Sequence, residues 1–192
     1  MLEDIIISRV RVKILTLFLT SPGRIAYVRE IVREAQEEIN AIRRELAHLE
    51  KIGMVRKEPR ANRIYYTFRK EYPLYFELLG IVAKTTGLGG DLLKNRAKLG
   101  KLKFVMFSGT FARGENPKPN SVDLLVVGSV VLPELTQLVR VEESKRKREI
   151  NYTVMSIEEF NFRRSRRDPF ILSIIAGSRI MVIGDEEELV SS

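Results

Sequence analysis

Apolar residues in the first third of the chain recur at helical spacing and then change to a strand period. Val10, Ile14, Leu17 and Phe18 fall at i, i+4, i+7 and i+8, which predicts a helix over 8–19. "TSPGR" stops it, because Pro22 and Gly23 are turn residues, and a short strand, "IAYV", follows. Val28, Ile31, Val32 and Ala35 share one face of a second helix over 28–35. Ile39, Ile42, Leu46 and Leu49 make the buried stripe of a third over 37–52, and Gly53 fits the residue that ends it. "MVRKEP" and "RIYYTF" are then β-prone runs around "RAN", which reads as a hairpin.

The rest of the chain alternates. An apolar helix over 73–86 opens on Pro73, and "GLGG" at 87–90 reads as a break with a domain boundary near it. A polar helix over 91–100 leads into the strand "LKFVMF". Strand 122–127, helix 132–147, strand 149–155, helices 157–166 and 169–176, and strand 179–183 follow. "DEEE" at 185–188 reads as a solvated tail. The expected fold class is α+β. Residues 1–72 have the element order of a winged helix-turn-helix, 73–90 connect, and 91–192 form a small α/β domain.

Composition narrows the chemistry. The chain has 192 residues, with 44% apolar and 30% charged. It has no cysteine, which excludes disulfides, thiolate zinc sites and cysteine nucleophiles. His48 is the single histidine, so any metal would need oxygen ligands, as Mg²⁺, Mn²⁺ and Ca²⁺ accept. No apolar run approaches the ~18 residues of a membrane span. The first residues lack the order of a signal peptide, so the cytoplasm is the expected compartment and no membrane partner is expected. Net charge is +8, and residues 1–72 hold 15 Lys/Arg against 10 Asp/Glu. That balance suits a polyanionic partner.

The third helix is where such a partner would be read. Opposite its apolar stripe lie Asn40, Arg44 and Lys51, with Ala47 small enough for close approach and Arg43 and His48 flanking. Arg pairs with guanine, Asn with adenine, and Lys contacts phosphate. The hairpin adds Arg56, Lys57, Arg60 and Arg63, suited to neutralising the backbone beside a groove. Glu37 and Glu38 at the helix start would repel phosphates there. The passage "L..LE..G.V", present as Leu46, Leu49, Glu50, Gly53 and Val55, resembles the winged-helix regulators of the ArsR and MarR type, over roughly residues 5–72. That resemblance implies double-stranded DNA as partner. The ArsR metal ligands have no match. The apolar helix at 73–86 suggests a homodimer on a palindromic site.

A second motif stands at 107–128, "FSGTFARGENPKPNSVDLLVVG". "GTFARG" followed by "SVDLLVVG" resembles the minimal nucleotidyltransferase domain of the polymerase-beta-like superfamily. The resemblance matches Gly109 and Thr110 to that family's Gly-Ser pair and Asp123 to its second Asp. The positions of the other two metal-binding acids hold Ser121 and Asn151, with Glu149 close by in sequence. Arg113 is the anion contact beside the loop. Gly109, Thr110, Arg113 and Asp123 are thus the candidate nucleotide-binding residues. No catalytic or metal set is assigned, and a residual nucleotide or Mg²⁺ is the ligand such a pocket would hold. "KRKR" at 145–148 and "RRSRR" at 163–167 read as solvated helix faces, with phosphates the alternative. Both domains together resemble a prokaryotic, largely archaeal group of proteins read as transcriptional regulators. The expectation is a sequence-specific DNA-binding regulator whose second domain senses or scaffolds without turnover. The alternative is an Mg²⁺-dependent nucleotidyltransferase of the antitoxin type, modifying a protein or RNA.

Overall fold

The computed structural model describes residues 6–115 and 121–191. The chain forms two compact units, 1–85 and 86–192. Both mix helix and strand. Among the described residues no helix is long and apolar enough to cross a membrane.

The first unit runs α1 (Arg9–Leu19), β1 (Ile25–Tyr27), α2 (Val28–Ala35), α3 (Ile39–Lys51), β2 (Val55–Arg60), β3 (Arg63–Phe68) and α4 (Tyr75–Thr85). Its strands form one antiparallel sheet in the order β1-β3-β2. The Ser8 hydroxyl caps α1 by accepting from the Arg11 amide. Ile14, Leu15 and Phe18 of α1, Ile31 of α2, and Ile42, Leu46 and Leu49 of α3 are buried together with Tyr66 and Phe68 of the hairpin. The apolar helix expected over 73–86 is present as α4. α4 buries Tyr75, Leu79 and Val82 and packs against α1.

The second unit runs α5 (Gly87–Lys94), α6 (Arg96–Leu99), β4 (Gly100–Ser108), α7 (Gly109–Ala112), β5 (Leu124–Val130), α8 (Leu132–Arg146), β6 (Tyr152–Met155), α9 (Ile157–Ser165), α10 (Pro169–Ala176), β7 (Arg179–Ile183) and α11 (Glu186–Val190). Its sheet has the order β6-β5-β4-β7, with β5 and β6 parallel and the other pairs antiparallel. Phe104, Met106, Leu125, Val127 and Met181 face a core closed by Phe160, Ile171, Ile174 and Leu189 of α9, α10 and α11. Val105, Phe107, Leu124 and Val126 alternate to the opposite face and are buried as well.

Three sequence expectations change. The break expected at "GLGG" falls just before it, at Thr86, where α4 ends and the two units divide, while Gly87–Gly90 themselves open α5 with Leu88, Gly89 and Gly90 buried. Missing side chains there permit close packing, which outweighs the low helix propensity of glycine. Strand 149–155 begins only at Tyr152, so Glu149 and Asn151 lie before it. The acidic tail is ordered. Asp185 caps α11 by accepting from the Glu188 amide, Glu186 pairs with Arg179 at 3.0 Å, and Leu189 enters the core.

Gly128 marks where β5 is pinned to β4. It has φ +145°, and a Cβ there would lie 2.3 Å from the Lys101 carbonyl oxygen, opposite the bulge between Leu102 and Phe104. Gly128→Ala is expected to lower stability by roughly 2–4 kcal/mol, from backbone strain plus overpacking. Gly80→Ala in α4, where a Cβ meets nothing within 4 Å, is expected to raise it by ~0.5–1 kcal/mol. Denaturant unfolding of the two variants checks both signs.

Candidate functional site

α3 starts late, at Ile39, because the Glu38 carboxylate caps it. Glu38 accepts from the Asn40 amide at 2.7 Å and the Ala41 amide at 3.0 Å. With the stripe Ile42, Leu46 and Leu49 buried, the helix turns Asn40, Arg43, Arg44, Ala47, His48 and Lys51 outward, and all six are exposed. They are spaced i, i+3, i+4, i+7, i+8 and i+11, so they form one continuous face. Among the described residues, none of their side chains makes a hydrogen bond or ion pair within the unit.

The acids of the unit are occupied elsewhere. Glu37 accepts from Lys13 at 2.6 Å and pairs with Arg9 at 3.0 Å. Glu45 holds Arg11 and the Ser8 hydroxyl, Glu34 holds Arg24, and Glu30 accepts from the Tyr27 amide. Glu37 and Glu38 were expected to repel phosphates. In the structure one is neutralised by α1 cations and the other is bound to helix amides. Two further cations on α2, Arg29 and Arg33, are exposed one turn apart, and among the described residues neither forms a hydrogen bond or ion pair. The sequence reading passed over them because they lie on a helix chosen only for its apolar face.

The hairpin is less free than its composition suggests. Arg60 makes two bonds to Glu58, at 3.0 and 3.1 Å, and lies over the Tyr65 ring. Arg63 lies over the Tyr27 ring at 4.7 Å. Lys57 stands 3.9 Å from Glu50 of α3. Among the described residues Arg56 makes no hydrogen bond or ion pair, though its charge acts on Glu58. Arg56, Arg60 and Arg63 share a face of the sheet through the pairs Arg56–Thr67 and Arg60–Arg63, whereas Lys57 is opposite the buried Tyr66. Burial, and then the charge of Glu50, push the Tyr66 phenol above its ordinary 10.0, while the charge of Arg43 pulls it down.

In the second unit Gly109 and Thr110 open α7 directly after β4. Gly109 donates to the Ser178 carbonyl at 2.7 Å, and a Cβ on it would lie 2.0 Å from the Ser178 hydroxyl. Only glycine fits there. Gly109, Thr110 and Arg113 line a cavity of about 430 Å³ with Ser108, Ser173, Ser178 and the apolar Phe170 and Ile174. Arg113 is bound to Glu115 at 2.7 and 3.1 Å and to Ser178 at 3.3 Å. The stretch between the Gly109 loop and Asp123 includes residues 116–120, which lie outside the described residues.

Ser121 and Val122 also line that cavity, and the Asp123 carbonyl accepts from the Ser108 amide at 2.9 Å, while the Asp123 carboxylate is held by other partners. It is fully buried, its Oδ1 accepts from Arg148 Nη2 at 3.2 Å, and its Oδ2 accepts from the Asn151 amide at 3.2 Å. Arg148 also donates to the Glu115 carbonyl at 2.8 Å. Arg146 pairs with the buried Glu142 at 2.7 Å, and both guanidiniums lie over Phe111, at 4.2 Å for Arg146 and 5.5 Å for Arg148. "KRKR" is therefore no purely solvated face, since Arg146 and Arg148 serve buried acids. In "RRSRR", Arg163 pairs with Glu159 and Asp168, and Arg164 donates to the Leu189 carbonyl.

The donor set around Asp123 does not suit Mg²⁺. Ser121 and Asn151 bring no charge, both Asp123 oxygens already accept bonds, and a guanidinium adjoins one of them. Among the described residues no three acids or histidines gather into a metal-binding group. Comparison of the chain with family models, curated proteins and solved structures gives no match.

The paired carboxylates of the first unit carry a pH signature. The hydrogen bond from Lys13 holds Glu37 below its ordinary 4.5, and hydrogen bonds from Arg24 and Arg60 do the same for Glu34 and Glu58. Lowered folded values mean stability that is complete above pH ~4.5 and lost as pH falls through them. Circular dichroism over roughly pH 6 to 2 should show this loss. Its acid limb should be shallower in Glu34→Gln/Glu37→Gln, and an unchanged limb would contradict the assignment.

Proposed function

We propose that this chain is a sequence-specific DNA-binding transcriptional regulator. Its first unit is read as a winged helix-turn-helix, with α2 and α3 as the helix pair, α3 as the reading helix, and the β2–β3 hairpin as the wing. The observation that carries this reading is the outward face of α3. It is continuous, exposed and unpaired, and the acids nearest it are held by other partners.

The chemistry follows from the side chains. Arg43 and Arg44 offer bidentate donors to guanine, and Asn40 offers a donor and an acceptor to adenine. Ala47 leaves room at the centre of the face. Lys51, Arg56 and, from α2, Arg29 and Arg33 supply charge for phosphates on either side. Arg60 and Arg63 are held by Glu58 and by tyrosine rings, so their contribution is a fixed orientation more than free charge. The exposed Leu74 and Phe76 at the start of α4 support a homodimer, which would read a two-fold-related site.

The second unit is read as nucleotidyltransferase-like and acting without turnover, as sensor or scaffold. The cavity lined by Gly109, Thr110 and Arg113 is where a nucleotide effector would enter. Nothing in the surroundings of Asp123 favours the transferase alternative.

Fluorescence anisotropy with a selected duplex and a scrambled one tests the reading. Arg44→Ala should weaken specific binding by ~1–3 kcal/mol and leave scrambled binding nearly unchanged. Lys51→Ala should weaken both and lower the log–log salt slope by about 0.9. Equal loss on both duplexes for Arg44→Ala would remove its base-reading role.

A further inference from the structure

We propose that Arg148 is the built-in counter-cation of Asp123, and that it closes this part of the second unit to divalent metal. The inference concerns the second unit alone and does not depend on DNA reading by the first. Its starting point is burial. Asp123 is 0% exposed, and a carboxylate held away from water needs a counter-charge and hydrogen bonds on its oxygens. The structure supplies both from the chain itself. The Asn151 amide serves Oδ2, and the Arg148 guanidinium serves Oδ1.

Arg148 is fixed from several sides. Nη2 meets Asp123 at the start of β5, Nη1 meets the Glu115 carbonyl, and the guanidinium carbon lies 5.5 Å from the centre of the Phe111 ring. Its Nε is buried and meets no acceptor among the described residues. The group is thus placed by the acid and the carbonyl, at the expense of one of its own donors. Arg146 approaches the same ring, bound to the buried Glu142. Two like charges flank one ring, and each stays there because a buried acid neutralises it. The sequence Glu142, Arg146, Phe111, Arg148, Asp123 is a connected charge network that ties α8, α7 and β5 together.

A dication has no place in this arrangement. Mg²⁺ and Mn²⁺ seek several oxygen ligands in near-octahedral geometry. Among the described residues no three acids gather here, and the Asp123 Oδ1 already faces a positive charge. Binding would require expulsion of Arg148 from a site where three contacts hold it. The two neutral residues at the other acid positions, Ser121 and Asn151, fit the same conclusion: with an arginine supplying the positive charge, further acids would be left without compensation.

The test uses the full chain labelled with ¹⁵N and Mn²⁺ as a paramagnetic probe. Millimolar Mn²⁺ should leave the amide signals of Leu124 and Asn151 no more broadened than those of remote buried residues. Saturable broadening centred on these two, lost in Asp123→Asn, would overturn the proposal. Thermal unfolding gives the second arm. Arg148→Met should lower Tm by about 10 °C, because it strands a buried charge. Adding Asp123→Asn should recover most of that loss. An Arg148→Met chain as stable as the parent, or a double variant no better than Arg148→Met, would show that Arg148 is not the counter-charge.

Discussion

Glu37 lies within reach of two cations from another helix, Lys13 and Arg9, and this pairing governs what the first unit can present. It is the residue nearest the start of α3 that would otherwise oppose an anionic partner. Glu45, on α3 itself, is turned toward Arg11 in the same way. Glu38 is held by the helix amides it caps. The acids on and beside α3 are each held by a partner, Glu37 and Glu45 by α1 cations, Glu38 by helix amides and Glu50 near Lys57 of the hairpin, and the outward face from Asn40 to Lys51 keeps cations and neutral groups. The pairs with α1 are part-buried, and a pair at the edge of the fold adds only modestly to stability. Their effect is on the field outside the molecule, where attraction of a polyanion depends on charges that are not already matched.

The second unit solves the opposite problem. Its charges at Asp123 and Glu142 are buried, so they must be matched inside the fold, and two arginines from one short basic run do so around a single phenylalanine. Asp123, just before β5, is part of a closed charge network. The cavity beside Gly109 remains open and lined with hydroxyls, so binding there does not require Asp123. The two units thus use the same residue types, arginine and carboxylate, to different ends, depending on whether water reaches them.

Much of the secondary structure was legible from apolar spacing. The stripes at Ile14–Phe18 and Ile42–Leu49 follow a helical period, and the hairpin strands are rich in aromatic and β-branched residues, so local preference and burial agree. Legibility failed where burial overrode local preference. "GLGG" reads as a breaker, yet packing of Leu88 and of two glycines without side chains makes it the start of a helix. "DEEE" reads as a tail, yet Leu189 beyond it anchors a helix in the core. The outward face of α3 was visible because a helical wheel fixes both sides at once. The partners of Arg148, Arg146 and Arg60 were not, since sequence shows the presence of a charge but not the acid or ring that three-dimensional folding brings to it. Arg29 and Arg33 carried no such signal at all.

The central claim is that α3 reads DNA sequence, and the most direct measurement is selection of genomic fragments by the purified chain near physiological salt, followed by sequencing. The account predicts recovery of a few discrete sites, each with two-fold-related halves. Recovery of fragments with no shared sequence, or of none above background, would contradict it.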